Sequence, residues 1–269
     1  MKLITYKIRE YLKYNILRPL LLNFGFWISK YSLVSNEPVL DSSKFEFSEI
    51  LENNYAEIRK EMESILAFHS LLPNLQDIQQ EQRILTCDNN WKTFFLFGFG
   101  KKAILNCASC PATTSILEQI PGLETAFFSI LLPHKHIDAH KGIFKGFIRG
   151  HLGLVVPKKA GKCYLRVDNQ ILHWQERKVI VFDDTYEHEV WNNSNEIRVV
   201  LLVDIIRPLK FPFAYINKGI IRLIGNSSYV QEAFQKNKEW EVQFHSNRTI
   251  TNYRQKKPQQ QFRVEKNSN

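Results

Sequence analysis

Histidines are the residues here whose number and spacing first point to chemistry. His134, His136, His140 and His151 fall within 18 residues, His188 follows, and His173 stands apart. Each lies in or beside a run that reads as a strand. Two strand-borne imidazoles meeting at the mouth of a β-sandwich can hold a divalent metal. Imidazole with carboxylate and open positions suits non-haem Fe(II) and oxygen chemistry. Spacing alone offers His136-Ile-Asp138 with His188, the two-histidine, one-carboxylate facial pattern. The same residues read equally as histidines exposed on loops. Cys107-Ala-Ser-Cys110 has the C-x-x-C spacing of zinc or redox sites. A zinc knuckle wants a second such pair, which the sequence lacks, so these two read as structural thiols.

The elements that must position these side chains follow from the apolar pattern. From Trp91 onward, short apolar runs alternate with turns rich in Gly, Pro, Asn and Asp: WKTFFLFGFG, TAFFSILLP, GFIRGHLGLVVP, KCYLRVD, KVIVFDD, HEVWNN and IRVVLLVDIIRP. Runs of this length and spacing are strands of an all-β sandwich or barrel. One helix interrupts near Ser115–Gln119, and Pro208 ends the series. Residues 37–47 read as a linker. A helix is predicted from Ser48, as its N-cap, through about His69, on apolar residues at helical spacing. Residues 211–246 read as helices. Residues 247–269, polar with a Gln run at 259–261, read as a disordered basic tail. The division is then a basic aromatic segment (1–36), a main domain (37–210, its β core at 91–208), C-terminal helices (211–246) and the tail.

Composition bounds the answer. The chain has 269 residues, 44% hydrophobic and 23% charged, the mix of an ordinary globular protein. This excludes a disordered chain, a collagen-like repeat and a disulfide-dense miniprotein. Nineteen phenylalanines imply a core rich in rings. The net charge of +9 belongs to the ends, since residues 1–30 and 247–269 each carry +5. A near-neutral body without a basic–aromatic stripe argues against a nucleic-acid partner. No N-terminal run has the order of a secretory signal, so the compartment is expected to be reducing, with Cys87, Cys107, Cys110 and Cys163 free. No apolar run reaches the roughly 18 residues of a spanning helix. The first 30 residues read either as a helix on an anionic membrane surface or as one packed on the body with solvated Lys and Arg.

Within residues 91–208 the segments NCASCPATTSILEQIPG, FFSILLP, HKG, IRGHLGLVVP, FDDTYEHEVWNN and RVVLLVDIIRP follow one another. HLGLVVP with FDDTYEHEVWN at this separation is a highly specific pair. On these motifs the chain resembles the aspartyl/asparaginyl β-hydroxylase family of Fe(II)- and 2-oxoglutarate-dependent dioxygenases, over about 118 residues. The resemblance implies a mainly β fold, a double-stranded β-helix (jelly-roll, cupin-like) core with flanking N- and C-terminal helices. It implies His140 and His188 as the iron ligands, with Gly142 where a carboxylate would stand and water completing the sphere. His136 and Asp138 become bystanders or substrate-side groups. It gives Arg198 and Ser129 the distal carboxylate of 2-oxoglutarate, Arg149 and His151 its iron-proximal end with the Gly150 backbone between them, and Trp91 a place lining that pocket. Arg198 reads alternatively as half of a structural ion pair, and Trp91 as a core aromatic. Asp184 would orient a ligand or metal-bound water, and Asp183 would close the turn before His188. The implied reaction couples oxidative decarboxylation of 2-oxoglutarate by O2 to hydroxylation of a substrate C–H bond.

Two branches of that family differ in substrate. NCASCPATTSILEQIPGLETAFFSILLP and RPLKFPFAYIN look closer to the bacterial lipid A acyl-chain hydroxylases than to the peptidyl aspartyl/asparaginyl hydroxylases, which remain the alternative. Cationic, aromatic flanks suit work on lipid at an anionic membrane face. The expected place is cytoplasmic, peripheral at the inner face of the cytoplasmic membrane. A different class, a non-catalytic jelly-roll binding module, is separated from these by whether Fe(II)-dependent turnover of 2-oxoglutarate occurs.

Overall fold

Alternating side chains along a strand face opposite ways. In this chain both sets are apolar, so the main sheet must be covered on both faces. A computed structural model describes residues 18–79, 83, 85–86, 88–158 and 161–256; residues 1–17, Cys87 and the tail from 257 lie outside the described residues. The strands are β1 (Val39–Leu40), β2 (Trp91–Gly98), β3 (Lys101–Lys102), β4 (Leu123–Leu131), β5 (Lys135–His140), β6 (Phe147–Val155), β7 (Cys163–Val167), β8 (Gln170–Leu172), β9 (Val179–Phe182), β10 (His188–Asn192) and β11 (Arg198–Ile206). They pair antiparallel into a seven-stranded sheet, β1-β9-β6-β11-β4-β2-β3, and a four-stranded sheet, β5-β10-β7-β8. The fold is mainly β, a jelly-roll of two facing sheets flanked by helices.

Register puts the inner face of the larger sheet into rows. Thr125, Asp204, Arg149 and Phe182 form one row, and Phe95, Phe127, Leu202, His151 and Ile180 the next. Thr93, Ser129, Val200 and Gly153 follow, then Trp91, Leu131 and Arg198. Each step is two residues along a strand, roughly 6.7 Å. Leu165, Val167 and Val190 of the smaller sheet close over these rows, making the interior cluster with Trp91, Phe127, Leu131 and Val200. Residues between the rows, among them Phe94, Phe128, Ile148, Leu152 and Leu201, pack outward against the helices.

Those helices are α1 (Arg18–Tyr31), α2 (Glu46–Asn53), α3 (Tyr55–Leu66), α4 (Leu75–Ile78), α5 (Ile104–Ser109), α6 (Pro111–Leu117), α7 (Phe213–Gly225) and α8 (Ser228–Lys256). Leu51, Ile58, Met62 and Ile65 of α2 and α3 are fully buried on the sheet. Burying such a side chain stabilises by about 1.5–3 kcal/mol.

Several boundaries differ from those read off the sequence. The single helix from Ser48 is two, broken at Asn54, whose side-chain amide donates to Ile50 O at 2.8 Å. Ser48 lies inside α2, buried, and is not its cap. Asp41 does the capping one turn earlier, for a short 3-10 turn within the expected linker, accepting from Ser43 N at 3.1 Å. The linker also holds β1, which pairs with β9. The helix near Ser115 is the pair α5 and α6, so Cys107 and Cys110 stand at a helix junction, both buried and free. Burial pushes both thiols up. Cys107 Sγ donates to Leu96 O at 3.2 Å.

Residues 247–256, expected to be disordered, continue α8 as helix. The reason is anchorage on both sides of that limit. Phe244 is 1% exposed, His245 Nε2 meets Asn106 Oδ1 at 3.0 Å, and the Arg248 guanidinium lies 5.3 Å over the Phe68 ring.

Candidate active site

The strand pairing builds the centre. β10 runs antiparallel to β5 with His188 opposite His140, and their ring centroids are 4.1 Å apart. His188 is buried and His140 half-buried at the end of its strand. His140 Nδ1 lies 2.8 Å from Asp138 O, and His188 Nδ1 lies 3.0 Å from Tyr186 O. A carbonyl only accepts, so each Nδ1 carries the proton and each Nε2 keeps a free lone pair. Burial holds both rings neutral, pushing His188 down to about 3 and His140 below its ordinary value. Two neutral, oriented imidazoles are what a divalent metal needs.

Gly142 has no side chain because there is no room for one. A Cβ there would stand 2.5 Å from Asp184 Oδ1, and Gly142 N donates to Asp184 O at 2.7 Å. The Asp184 carboxylate thus fills the place a carboxylate at 142 would take. Burial raises it to about 6, while Arg149, 3.2 Å away, pulls it down. Among the described residues no group of three or more His, Cys, Asp or Glu side chains forms a closed metal cage.

His136 and Asp138 are not brought to this point. His136 lies on the outer face of β5, stacked on Trp191 at 3.5 Å, with Nε2 2.7 Å from Glu189 Oε1 and Nδ1 3.2 Å from Asp138. The facial pattern suggested by spacing therefore does not form with His188. His134 takes positive φ in the β4–β5 turn, against Asn195, and His173 meets Cys163 O at 3.3 Å.

Behind the histidine pair lies a cation without an anion. Arg198 is 1% exposed. Its Nη1 donates to Ser129 O at 3.3 Å, with Ser129 Oγ at 3.5 Å, and its guanidinium sits 4.7 Å over the Trp174 ring. Among the described residues no carboxylate pairs with it, and its Nε lacks a partner. Burial lowers it to about 10, so it remains charged near neutral pH. Trp91 Nε1 donates to Ser129 Oγ at 3.1 Å. His151, between Arg198 and the metal-side row, is buried with both ring nitrogens unpaired, and Trp174 Nε1 and Thr93 Oγ1 are unpaired too. Buried polar groups are normally satisfied. This cradle of guanidinium, hydroxyls, imidazole and indole fits a small dianion such as 2-oxoglutarate, its distal carboxylate on Arg198 and Ser129.

Arg149 is placed differently. Its Nε and Nη2 grip Asp204 at 2.7 and 3.0 Å, and Asp184 completes its surroundings. Two acids already neutralise it. Gly150 turns its missing side chain outward, where a Cβ would lie 2.5 Å from the Phe47 ring, so close packing accounts for that glycine. Asp183 closes the turn by accepting from Thr185 N and Oγ1, and pairs with buried Arg207 and with Lys145. Trp174 and Asp204 were not anticipated. The first follows β8 in a stretch without periodicity, and the second sits in an otherwise apolar strand, where a lone acid was the available signal.

A pH dependence follows from His151. Its environment, burial first and then the Arg198 charge, holds it well below 6.5 in the fold. The unfolded chain takes up that proton near 6.5, so its stabilising share is complete above that pH and drains away as pH falls below it. The melting temperature of the metal-free protein should drop between pH 7 and 5, and His151→Phe should flatten the slope. An unchanged slope would count against the neutral buried ring.

Three comparisons with known proteins bear on this site. The model of the Aspartyl/Asparaginyl beta-hydroxylase family matches residues 52–208. The chain is similar to the "Ornithine lipid ester-linked acyl 2-hydroxylase" of Rhizobium tropici, 44% identical over 217 residues, 81% of this chain and 77% of that protein. It is similar to the "Aspartyl/asparaginyl beta-hydroxylase" of Homo sapiens, 32% identical over 167 residues, 59% of this chain but 21% of that longer protein. Among solved structures, a Cupin 2 conserved barrel domain protein from Salinispora arenicola is 12% identical at a TM-score of 0.29, covering 51% of this chain and 89% of that one. At that score the fold class rests on the strands described above.

Proposed function

The chain belongs to the aspartyl/asparaginyl β-hydroxylase family, and from that premise we propose that it is an Fe(II)- and 2-oxoglutarate-dependent hydroxylase of a lipid acyl chain. Membership makes it a hydroxylase; the cofactor set and the substrate are our reading. The observation that carries the cofactor set is the in-register histidine pair with an unpaired buried arginine deeper in the same interior. His140 and His188 would hold the iron, which supplies oxygen activation when bound. Ser129 and Arg198 would hold the far carboxylate of 2-oxoglutarate and His151 would donate to its near end. The apolar cluster around Trp91, Phe127, Leu131, Leu165 and Val200 would keep water out.

The lipid reading is supported by the ornithine-lipid relative and by the chemistry of the centre. Arg149, the cation whose charge acts on both histidines, is already held by Asp204 and Asp184, which leaves it less available to a peptidyl aspartate. The sequence pointed to the lipid A branch; the relative's name makes an ester-linked acyl group of an ornithine lipid the first substrate to test. Lipid extracts from cells with and without the gene should differ by one oxygen on an acyl chain. Unchanged lipids beside a peptide that gains oxygen would overturn this reading.

We also infer work at an anionic membrane face. Among the described residues no helix is long and apolar enough to cross a membrane. At the junction of α1 and α7, however, Phe26, Trp27, Phe211, Tyr215 and Leu223 are 66%, 44%, 80%, 71% and 73% exposed. Lys30, Lys218 and Arg222 stand exposed among them, and residues 205–231 contain no acid. An apolar, cationic face of this kind suits a peripheral contact with anionic lipid. The triple variant Trp27→Ser, Phe211→Ser, Leu223→Ser should lose roughly tenfold in co-sedimentation with phosphatidylglycerol vesicles. Equal sedimentation would remove the membrane from the account.

A further inference from the structure

The loop that follows His140, residues 141–146 between β5 and β6, ties the candidate centre to the exposed face of α1 and α7. At its start Gly142 N donates to Asp184 O at 2.7 Å, beside the histidine pair. Further on, Phe144 is 4% exposed and packs with Leu21 and Ile28 of α1 and Ile221 of α7. Lys145 is seated on α1, its Cβ 4.0 Å from where a Cβ at Gly25 would stand. At the end of the loop Gly146 O accepts from Asn217 Nδ2 of α7 at 3.0 Å. One end of the loop is therefore held by the centre and the other by two helices.

Between those anchors Ile143 is turned outward, 57% exposed, and Lys141 is exposed beside it. A single exposed isoleucine is ordinary. This one lies on a loop seated against a face rich in exposed rings: Phe26 follows Gly25, and Tyr215 stands two residues before Asn217. Exposed cations surround that face, Lys30, Lys210, Lys218 and Arg222, and Lys141 joins them. Neither residues 139–149 nor residues 205–231 contain an acid. Apolar tips among cations match an anionic bilayer surface, which takes rings and aliphatic side chains at its headgroup boundary and attracts Lys and Arg.

We propose that the β5–β6 loop belongs to the docking face, with Ile143 dipping into an anionic leaflet, so that the His140 end of β5 is turned toward the bilayer. The proposal rests on the membrane reading and deepens it by naming the direction in which the centre faces. A lipid would then reach the histidine pair past Ile143 without leaving the membrane surface.

The test attaches nitrobenzoxadiazole, whose emission rises and shifts to the blue in an apolar medium, to single cysteines introduced into the full chain. The sites are Ile143→Cys, Leu223→Cys on the α7 face, and Ile171→Cys on β8, the edge of the smaller sheet away from β5. All three side chains are exposed, so each substitution spares the core. The wild-type chain, labelled alike, gives the blank for its own cysteines. With vesicles of phosphatidylglycerol and phosphatidylcholine in equal parts, emission at 143 and 223 should rise at least about twofold, and emission at 171 should stay as in buffer. Unlabelled Ile143→Asp should co-sediment with these vesicles several-fold less than wild type. A response at 223 without one at 143, or equal responses at 143 and 171, overturns the proposal and leaves the α1–α7 contact standing. No response at any site overturns the membrane reading with it. A response at 143 as large on phosphatidylcholine alone overturns the choice of an anionic surface.

Discussion

His188→Ala and His140→Ala should each lower Fe(II)-dependent conversion of 2-oxoglutarate to succinate by more than about a hundredfold, whereas His136→Ala should leave it near wild type. The magnitude follows from the ligand count. Loss of a group that merely supports a metal ligand costs about 10–100-fold. On the proposed assignment each histidine would be half of the protein's own ligand set, since Gly142 brings no carboxylate and Asp184 is held by Arg149. His136 is spent on Glu189 and Trp191 on the opposite face of the smaller sheet. Direct Fe(II) titration should show the same ranking without any turnover. Turnover that survives the His140→Ala, His188→Ala double change but stops with His136→Ala would refute the assignment.

Arg198→Met should separate stability from function. A buried guanidinium without a carboxylate is costly, and the cation–π contact with Trp174 and two long contacts to Ser129 offset that cost only in part. Methionine keeps the length without the charge, and exchanging buried ionic groups for apolar ones is often neutral or stabilising by roughly 1–4 kcal/mol. The metal-free variant should therefore melt no lower than wild type, and higher if the charge is truly unpaired. Its affinity for 2-oxoglutarate should fall by about two orders of magnitude or more, because a charge-assisted bidentate contact is lost. Calorimetric titration with 2-oxoglutarate and a thermal melt check the two halves. A variant that melts lower yet binds 2-oxoglutarate normally would make Arg198 a structural residue.

Much of this arrangement was legible in the residues. The seven apolar runs from Trp91 each became a strand, because strands covered on both faces read as continuous apolar stretches. β5 was absent from those runs: in Lys-His-Ile-Asp-Ala-His, His136 and Asp138 sit on the outer face and dilute the apolar signal. Yet β5 carries His140, one of the two proposed metal histidines. Spacing favoured His136 with Asp138, and only cross-strand register separates them from His140; a linear pattern does not encode which face a residue takes after a strand irregularity. The resemblance of HKG and HEVW singled out His140 and His188, which the register sets opposite one another. Arg149 shows the opposite difficulty: its partner Asp204 is 55 residues away, so its charge looked available in the sequence and is engaged in the fold.

β5 is one of the two edge strands of the smaller sheet, hydrogen-bonded on one side to β10. On the proposed assignment, half of the metal's anchorage would therefore stand on an edge strand of the jelly-roll. An ion bridging His140 and His188 would act as a clasp at that rim, so iron loss and fraying of the rim should be one event. Chelation would then loosen that rim while leaving the seven-stranded platform intact.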